Sequence, residues 1–297
     1  MGAPASQIEL ARAKINLTLH VGRPIADSSA RFYGYHPLDS LVVFADTADE
    51  ITAMPARETS LSISGPFAQA LEGHQDNLIL KAIEATAAQA AVPPLSIQLV
   101  KNLPVAAGVG GGSANAAAML RLLQGYVDLP DKVWSDIALS LGADVPVCLL
   151  SRTAYMRGIG EDVQAVSGLG TLFALLVNPR VAVPTGAVFN TFDMQEGALA
   201  PQETPRPQRL SGSLLARALE GRNDLEAPAQ EHGPIISDVL RALAAQPGAM
   251  LARMSGSGAT CFALFERRSQ AMEAAKTLTA VSPHWWVQAA VLGEDAA

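Results

Sequence analysis

The stretch LPVAAGVGGGSANAAAMLRLL, residues 103–123, contains four glycines within five positions, followed by a run rich in Ala and Leu. Glycine lets the backbone adopt positive φ angles and lets a ligand approach without meeting a β-carbon. Successive N–H groups in such a loop can form a concave anion site, and a following helix adds the positive end of its dipole. The stretch therefore predicts a phosphate site at the start of a helix over 114–124, with Ser113 as N-cap and Gly125 as its end.

Three kinds of glycine loop, and a plain interdomain turn, compete to explain this stretch. The Walker A loop requires Gly-Lys-Ser/Thr, and no lysine follows these glycines. The dinucleotide fingerprint places its glycines directly after a strand, whereas residues 101–107 intervene here and Ser113 occupies the third glycine position. The order of residues in PVAAGVGGGSA resembles the phosphate loop of the GHMP kinases, a superfamily of ATP-dependent small-molecule kinases. A bare turn has no need of four glycines beside a strong helix former.

The composition narrows the classes of function. The chain has 297 residues and a net charge of −7. Its hydrophobic fraction of 49% and its low charged fraction of 16% exclude a disordered chain. It has no Lys/Arg cluster, so we expect no nucleic-acid partner and a local site for any phosphate ligand. No apolar run reaches about 18 residues and no signal segment is visible, which predicts a cytoplasmic protein with no membrane partner. Cys148 and Cys261 lie in apolar runs and are expected to be buried, reduced thiols.

Hydrophobic periodicity predicts an α+β chain. Residues 8–21 alternate as a strand with one buried face, formed by Ile15, Leu17, Leu19 and Val21. Its opposite face, with Lys14, Asn16, Thr18 and His20, is expected to meet solvent. Further strands are predicted at 40–56, with a turn near 46–50, and at 59–66, 95–104, 143–163, 172–179 and 284–292. Helices are predicted at 77–91, 114–124, 131–142, 211–220 and 234–246. Residues 201–209 are predicted to form a surface loop or a mobile excursion, and a further glycine loop is predicted to lead into a strand within 252–265.

Eight segments, in order along the chain, resemble one family of the GHMP superfamily, the 4-diphosphocytidyl-2-C-methyl-D-erythritol kinases. They are AKINLTLHV (13–21), GYHPLDSLVVF (34–44), DNLILKA (76–82), LPVAAGVGGGSANAAA (103–118), LGADVPV (141–147), VNPRVAVPTGAVF (177–189), NDLE (223–226) and RMSGSGATCFALF (253–265). Ala114 stands where the family often has a second Ser, and Asn115 where it has Asp or Asn. The segment before Gly34 is longer than usual and lacks the Asp that commonly precedes this glycine, a departure at the rim of the substrate site.

The resemblance implies a two-domain α+β GHMP kinase fold. An N-terminal ribosomal-protein-S5-like α/β domain, residues 1–160, is expected to hold the phosphate loop and the catalytic residues. A C-terminal ferredoxin-like α+β domain, residues 161–297, is expected to hold the substrate side and a third glycine loop, with the active site in the cleft between the domains. The implied reaction is phosphorylation of the 2-hydroxyl of 4-diphosphocytidyl-2-C-methyl-D-erythritol by ATP with Mg²⁺, in the non-mevalonate route to isoprenoid precursors.

Within this resemblance, Lys14 and Asp144 match the catalytic positions. The acceptor is a crowded tertiary alcohol. A carboxylate beside it can orient the hydroxyl and take its proton late in a loose phosphoryl-transfer transition state. A lysine close by offsets the charge that develops on the phosphoryl oxygens. Taken alone, Asp144 would be a turn residue after a helix, and Lys14 would lie on the solvated face of a strand.

The other matched positions divide by ligand. Those expected to wrap the ATP phosphates are Pro104, Val105, Ala106, Ala107, Gly108, Val109, Gly110, Gly111, Gly112, Ser113 and Ala114, with Ser113 also a contact to Mg²⁺ or phosphate. Those expected at the adenosine are Asn77, Leu78 and Lys101. Those expected on the substrate side are Asn16 beside the acceptor sugar, Tyr35, His36 and Phe189 at the cytosine, and Gly256, Ser257 and Gly258 in the third glycine loop. Ordinary core packing is the alternative for Tyr35 and Phe189.

Three rival functions have distinct marks. Another GHMP kinase, acting on homoserine, mevalonate or a sugar, would lack the paired cytosine-binding aromatics. A non-catalytic nucleotide-binding protein on the same scaffold would lack Lys14 or Asp144, and both are present. A dehydrogenase would bind NAD at its glycine loop.

Overall fold

The computed structural model describes residues 7–71, 77–105, 107–196 and 212–294. Within these ranges the chain forms two compact units that alternate along the sequence. The first unit contains residues 7–14, 47–71, 77–105 and 110–151, and the second contains residues 15–46, 107–109, 152–196 and 212–294. The predicted division between residues 160 and 161 stays a prediction.

The elements are numbered along the chain. The strands are β1 Gln7–Asn16, β2 His20–Val21, β3 Leu38–Pro55, β4 Ser60–Ser64, β5 Leu95–Val100, β6 Ala154–Gly158, β7 Asp162–Ala165, β8 Thr171–Asn178, β9 Ala249–Met254, β10 Cys261–Phe265 and β11 Trp286–Gly293. The helices are α1 Leu78–Ala87, α2 Gly111–Gln124, α3 Asp131–Leu141, α4 Val145–Leu150, α5 Thr185–Glu196, α6 Leu214–Glu220, α7 Glu226–His232, α8 Ile235–Ala244 and α9 Arg268–Val281.

The first unit combines a small sheet with helices α1 to α4. Strand β5 pairs in parallel with β4 and antiparallel with residues 50–55 of β3. Helix α2 packs against α1, α3 and α4. Its consecutive residues Ala116, Ala117 and Ala118 are fully buried. Alanine has the highest helix propensity and a small side chain, so α2 can form readily and lie close to its neighbours on several sides.

The second unit is built on an antiparallel sheet in which β8 pairs with both β10 and β11, and β9 pairs with β10. Strand β6 pairs with residues 38–42 of β3 and with β7. Helices α8 and α9 pack on the sheet. Leu175, Phe265, Val239 and Leu278 belong to a single buried cluster of this unit. Their positions on both strands and helices show that the apolar faces of these elements meet in one core.

Two strand predictions were wrong. The turn expected near residues 46–50 does not form, because β3 runs without interruption from Leu38 to Pro55. The polar face of the strand predicted at 8–21 was expected to meet solvent but is largely buried, since Lys14, Asn16 and Thr18 are 3%, 1% and 4% exposed. Buried polar groups require partners. Alternation of polar and apolar residues identified strand structure in β1 and β2, but neither the break between Asn16 and His20 nor the burial of the polar side.

Two predictions around the helices were also wrong. Helix α2 begins at Gly111 and its N-cap is Gly110, with a φ of 64°, so Ser113 lies inside the first turn and does not cap the helix. The segment 143–163 was expected to be strand throughout, but its first part forms α4 before β6 begins. Pro146 lies in the first turn of α4, where a missing N–H costs nothing.

The remaining helices and strands agree with the sequence in most places. The predicted helices at 77–91, 131–142, 211–220 and 234–246 correspond to α1, α3, α6 and α8, and β8, β10 and β11 form as expected. Helices α5, α7 and α9 were not predicted. The predicted loop at 201–209 and the predicted phosphate contact Ala106 lie outside the described residues. In the part of the chain that the structure describes, no helix has the length and apolar character needed to cross a membrane.

Candidate active site

The two predicted catalytic residues form an ion pair in the first unit. Nζ of Lys14, near the end of β1, lies 2.8 Å from Oδ2 of Asp144. Asp144 is the N-cap of α4, but its side chain does not cap the helix, so the carboxylate is directed to the lysine. The lysine side chain is 4% exposed and the aspartate side chain 35%. The pair therefore consists of a buried cation and a carboxylate with one side open to a ligand.

The phosphate loop reaches this ion pair at Gly110. This residue has a φ of +64°, and a β-carbon there would lie 3.2 Å from Cε and 3.3 Å from Cβ of Lys14. Two motifs nearly a hundred residues apart in the sequence are thus in contact. Because Gly110 has no side chain to cap α2, the first N–H groups of the helix remain available to a ligand.

Gly108, another residue of the phosphate loop, lies against the third glycine loop in the second unit. Gly108 has a φ of +72°, and a β-carbon there would lie 2.6 Å from the carbonyl oxygen of Ser255 and 2.7 Å from that of Gly258. Ser255 donates its hydroxyl to the carbonyl of Gly108 at 3.1 Å. Thr260 donates its N–H to the carbonyl of Ala107 at 3.0 Å. The approach is so close that only glycine fits at position 108.

Asn16 lies beside the same loop. Its N–H donates to Oγ of Ser255 at 3.1 Å, and its Nδ2 donates to Oγ of Ser40 at 2.7 Å. Its Oδ1 is buried and has no partner among the described residues. A buried amide oxygen without a donor is unusual and marks a place where a ligand or water hydroxyl can bind.

The NDLE segment holds the third glycine loop in place. Nδ2 of Asn223 donates to the carbonyls of Met254 and Gly256, both at 2.8 Å. Oε2 of Glu226 accepts the N–H of Met254 at 2.8 Å. Ser257 in this loop forms a hydroxyl–hydroxyl contact of 2.9 Å with Thr185, the first residue of α5.

The three residues expected at the adenosine make three different kinds of contact. Oδ1 of Asn77 accepts the N–H of Ile79 at 2.9 Å and so caps α1. Leu78 lies under α2, since a β-carbon at Gly112 would be 3.4 Å from its Cδ1. Lys101 is buried and its ammonium donates to the carboxylate of Asp49. Burial lowers the pKa of Lys101, and the charge of Asp49 opposes that shift. The ammonium of Lys101 is therefore committed to Asp49.

Of the residues expected at the cytosine, the structure brings His36 and Phe189 together. Their rings are 4.8 Å apart with an interplanar angle of 35°. Nε2 of His36 lies 2.8 Å from Oδ1 of Asp193. Tyr35 is 57% exposed, and its ring contact is with Phe32 at 6.3 Å. Among the described residues, no direct ring contact joins Tyr35 and Phe189.

Sequence reasoning missed four residues of this arrangement. They are Asp49, Ser40, Asp193 and Ser255. An acid within the strand pattern of 40–56 was a signal for Asp49, because an inward-facing charge requires a partner. Asp193 follows Phe189 by one helical turn, but helix α5 was not predicted, so there was no helical spacing to interpret.

Comparison with known proteins identifies the family. The model of the GHMP kinases N terminal domain matches residues 77–152, and that of the GHMP kinases C terminal domain matches residues 208–284. A 4-diphosphocytidyl-2-C-methyl-D-erythritol kinase of Methylobacterium radiotolerans is 50% identical over 287 residues, covering 93% of this chain and 96% of that protein. The chain belongs to this family. The kinase of the same name from Rhodospirillum rubrum is 44% identical, over 99% of this chain and 95% of that protein.

Solved structures agree with the family assignment. A crystal structure of 4-(cytidine 5'-diphospho)-2C-methyl-D-erythritol kinase has a TM-score of 0.76 and 31% identity, covering 97% of this chain and all of that one. Homoserine kinase from Cytophaga hutchinsonii, at 17% identity and a TM-score of 0.66 over 98% of this chain and 95% of that one, shares the fold. The predicted GHMP kinase fold and the family resemblance are thus confirmed. Within this family, the roles of the individual site residues stay predictions.

Proposed function

We propose that this chain transfers the terminal phosphoryl group of ATP to the 2-hydroxyl of 4-diphosphocytidyl-2-C-methyl-D-erythritol, giving the 2-phosphate and ADP. The family relatives that carry this name support the substrate. The observation that carries the proposal is the ion pair of Lys14 and Asp144, which lies against Gly110 of the glycine loop. A carboxylate, a cation and a loop suited to phosphate are the groups that a phosphoryl transfer to an alcohol requires.

Residues 104–114 suit the phosphates of ATP. Positive φ angles at Gly108 and Gly110 turn the backbone of the loop, and helix α2 follows without a side-chain cap. N–H groups of the loop and of the first turn of α2 can therefore donate to phosphate oxygens. The net charge of −7 gives no general attraction for anions, so this local set of donors would supply the binding.

A magnesium ion fits this site as a companion of the phosphates. Among the described residues there is no group of three or more His, Cys, Asp or Glu side chains placed to hold a metal. Mg²⁺ commonly takes most of its ligands from phosphates and water, and when bound it neutralises phosphate charge. Ser113, half-buried in the first turn of α2, is the residue that we propose to contribute a hydroxyl there.

Asp144 would receive the proton of the acceptor hydroxyl. Its carboxylate has one oxygen on Lys14 and is partly exposed, so it can accept a hydrogen bond from a bound alcohol. In a loose transition state the hydroxyl becomes acidic only as the new bond to phosphorus forms, and the proton then passes to the carboxylate. Lys14 would hold the carboxylate in place and offset negative charge. The unpartnered Oδ1 of Asn16 supports its expected contact with a hydroxyl of the acceptor.

The remaining proposals follow from the family and the composition. We propose that the enzyme works in the cytoplasm on a small molecule, in the non-mevalonate route to isoprenoid precursors, without a nucleic-acid or membrane partner.

A coupled assay of ADP release tests the reaction, with the cytidine diphosphate substrate compared with homoserine, mevalonate and galactose. Phosphorus NMR of the product should show a new monoester. Turnover of another acceptor at a rate equal to or above that of the cytidine substrate would contradict the proposal.

A further inference from the structure

The carboxylate of Asp49 is fully buried and accepts four hydrogen bonds. Oδ1 accepts the N–H groups of Asn102 at 2.7 Å and of Leu103 at 2.8 Å. Oδ2 accepts from Nδ2 of Asn115 at 2.8 Å and from Nζ of Lys101. Two oxygens of a carboxylate offer about four acceptor positions, so every position of Asp49 is filled.

These four donors lie on both sides of the phosphate loop. Residues 101–103 lead into the loop, and Asn115 is in α2, the helix that leaves it. Asp49 is a residue of β3, so the strand holds the start of the loop and the helix after it through one side chain. The loop itself has glycine at two positions of positive φ, Gly108 and Gly110.

Lys101 also lies close to Gly111, the first residue of α2. A β-carbon at Gly111 would lie 3.2 Å from Nζ of Lys101. The ammonium therefore lies directly beneath the residue whose N–H begins the helix. Asp49 holds this ammonium, so the strand and the start of the helix meet at this ion pair.

We propose that Asp49 is a positioning residue for ATP, which acts by holding both ends of the phosphate loop at the separation that its N–H groups need to bind phosphate. This inference rests on the proposed function, because it takes the loop as the ATP site. In this proposal Lys101 serves the nucleotide through its ion pair with Asp49.

A purely structural role is the competing explanation. A buried ion pair contributes little net stability, and an apolar pair of similar volume often replaces it without loss of fold. If Asp49 and Lys101 only fill the interior, an apolar pair should preserve nucleotide binding. If Asp49 positions the loop, the same replacement should leave a folded protein that binds ATP poorly, because the N–H groups of Asn102 and Leu103 lose their acceptor.

The test uses three variants of the full chain. Asp49→Asn removes the charge and leaves the Lys101 ammonium buried without a carboxylate. The double variant Asp49→Leu with Lys101→Met removes the pair together and keeps the interior apolar. Glu9→Gln is the matched control, because Glu9 also pairs with a cation of α2, Nε of Arg121 at 2.7 Å, in the last turn of the helix and away from the loop.

Calorimetric binding of a non-hydrolysable ATP analogue with Mg²⁺ is the main readout, and the Tm of each variant is measured beside it. We expect the affinity of both Asp49 variants to fall about tenfold to a hundredfold, the scale for a misplaced binding group, while Glu9→Gln stays within about threefold of the wild type. The KM for ATP should rise in parallel, and the KM for the acceptor should change little. Should Asp49→Asn fail to fold, the double variant gives the result.

Wild-type affinity for the analogue in a folded double variant would overturn the proposal, as would an equal loss of affinity in Glu9→Gln. The proposed function can fail separately. If the wild type binds the analogue but does not phosphorylate the cytidine substrate, the substrate assignment is wrong, while the binding comparison among the variants still decides the role of Asp49.

Discussion

Gly110 of the phosphate loop lies against the side chain of Lys14, so closely that a β-carbon would stand 3.2 Å from Cε of the lysine. That distance is tighter than ordinary van der Waals contact. Lys14 in turn holds Asp144. Any side chain at position 110 would therefore disturb the loop and the ion pair together, which links phosphate binding to the proposed proton acceptor.

Gly110→Ala should lower both the affinity for ATP and kcat. The substitution strains a backbone with a φ of +64°, at a cost of about 1–3 kcal/mol, and pushes Lys14 away from the loop. We expect ATP to bind about tenfold more weakly or worse, as measured by calorimetry.

Gly168→Ala is the matched control for that variant. Gly168 also has a positive φ, +74°, but a β-carbon there would meet nothing within 4 Å. This control variant carries the same kind of backbone strain outside the phosphate loop and should bind ATP nearly as the wild type does. Equal affinities for all three proteins would show that the glycine at 110 is not required by the nucleotide.

Asp144→Asn should abolish most turnover while ATP still binds. The amide cannot take the proton of the acceptor hydroxyl, and the loss expected for a general base is about 10²-fold or more in kcat. Circular dichroism and ATP calorimetry check that the fold and the nucleotide site remain. A kcat within about threefold of the wild type would remove Asp144 from its proposed role.

Much of the fold could be predicted from local patterns, because capping and periodicity are local properties. The helix predicted at 77–91, which forms as α1, and the alanine run of α2 are examples. The errors arose where tertiary contacts override such patterns. Polar residues in the middle of β3 suggested a turn, but Asp49 is fully buried and bonded there. Ser113 is a good N-cap residue, yet the N-cap is Gly110, whose positive φ and close contact with Lys14 favour glycine at that position.

The candidate site shows the same limit. The family resemblance named Lys14, Asp144 and the glycine loops. In the first unit, Lys14 contacts both Asp144 and Gly110. In the second unit, Gly108 of the phosphate loop contacts Ser255, beside the third glycine loop. It could not reveal their supporting partners, such as Asp49 and Asp193. Those residues are defined by hydrogen bonds across long sequence separations, and a single acidic residue carries no sign of its distant partner.

Cys148 should be unreactive in the folded protein. Burial, and next the nearby carboxylate of Asp144, raise the pKa of its thiol to about 12. Burial also raises the pKa of Cys261 well above its ordinary value. Since the thiolate is the reactive form, Ellman's reagent at pH 8 should titrate neither thiol without denaturant and both with it. Rapid labelling of the native protein would contradict this environment.

The same shift gives a pH dependence with a definite sign. The unfolded chain releases the Cys148 proton near the ordinary thiol pKa of 9.0, whereas the folded protein keeps it up to about 12. The contribution to the free energy of unfolding is thus complete below pH 9 and is lost progressively as the pH rises toward 12. The free energy of unfolding of the wild type, relative to Cys148→Ala, should therefore fall between these values. An unchanged difference would contradict the raised pKa.

Recognition of the cytosine is expected to depend on how Asp193 holds His36. Phe189, Phe192 and Asp193 lie on one face of α5, at spacings of three and four residues, and all three contact the imidazole. A carboxylate only accepts, so Nε2 of His36 carries the hydrogen that Asp193 receives. In the neutral ring Nδ1 is then a bare acceptor. Such an acceptor suits the amino group of cytosine and opposes the carbonyl at the same position of uracil.

Asp193→Asn should therefore reduce the preference for the cytidine substrate over its uridine analogue, because an amide can donate or accept and no longer fixes the tautomer. Phe189→Ala should instead raise the KM for both analogues about tenfold, since stacking does not distinguish bases. Thr191→Val is the control on the same helix: it removes a 2.8 Å hydrogen bond to His232, and the preference should stay. The ratio of kcat/KM for the two nucleotides measures each effect. If Thr191→Val lowers that ratio as much as Asp193→Asn does, the helix matters only as a support, and the tautomer of His36 does not select the base.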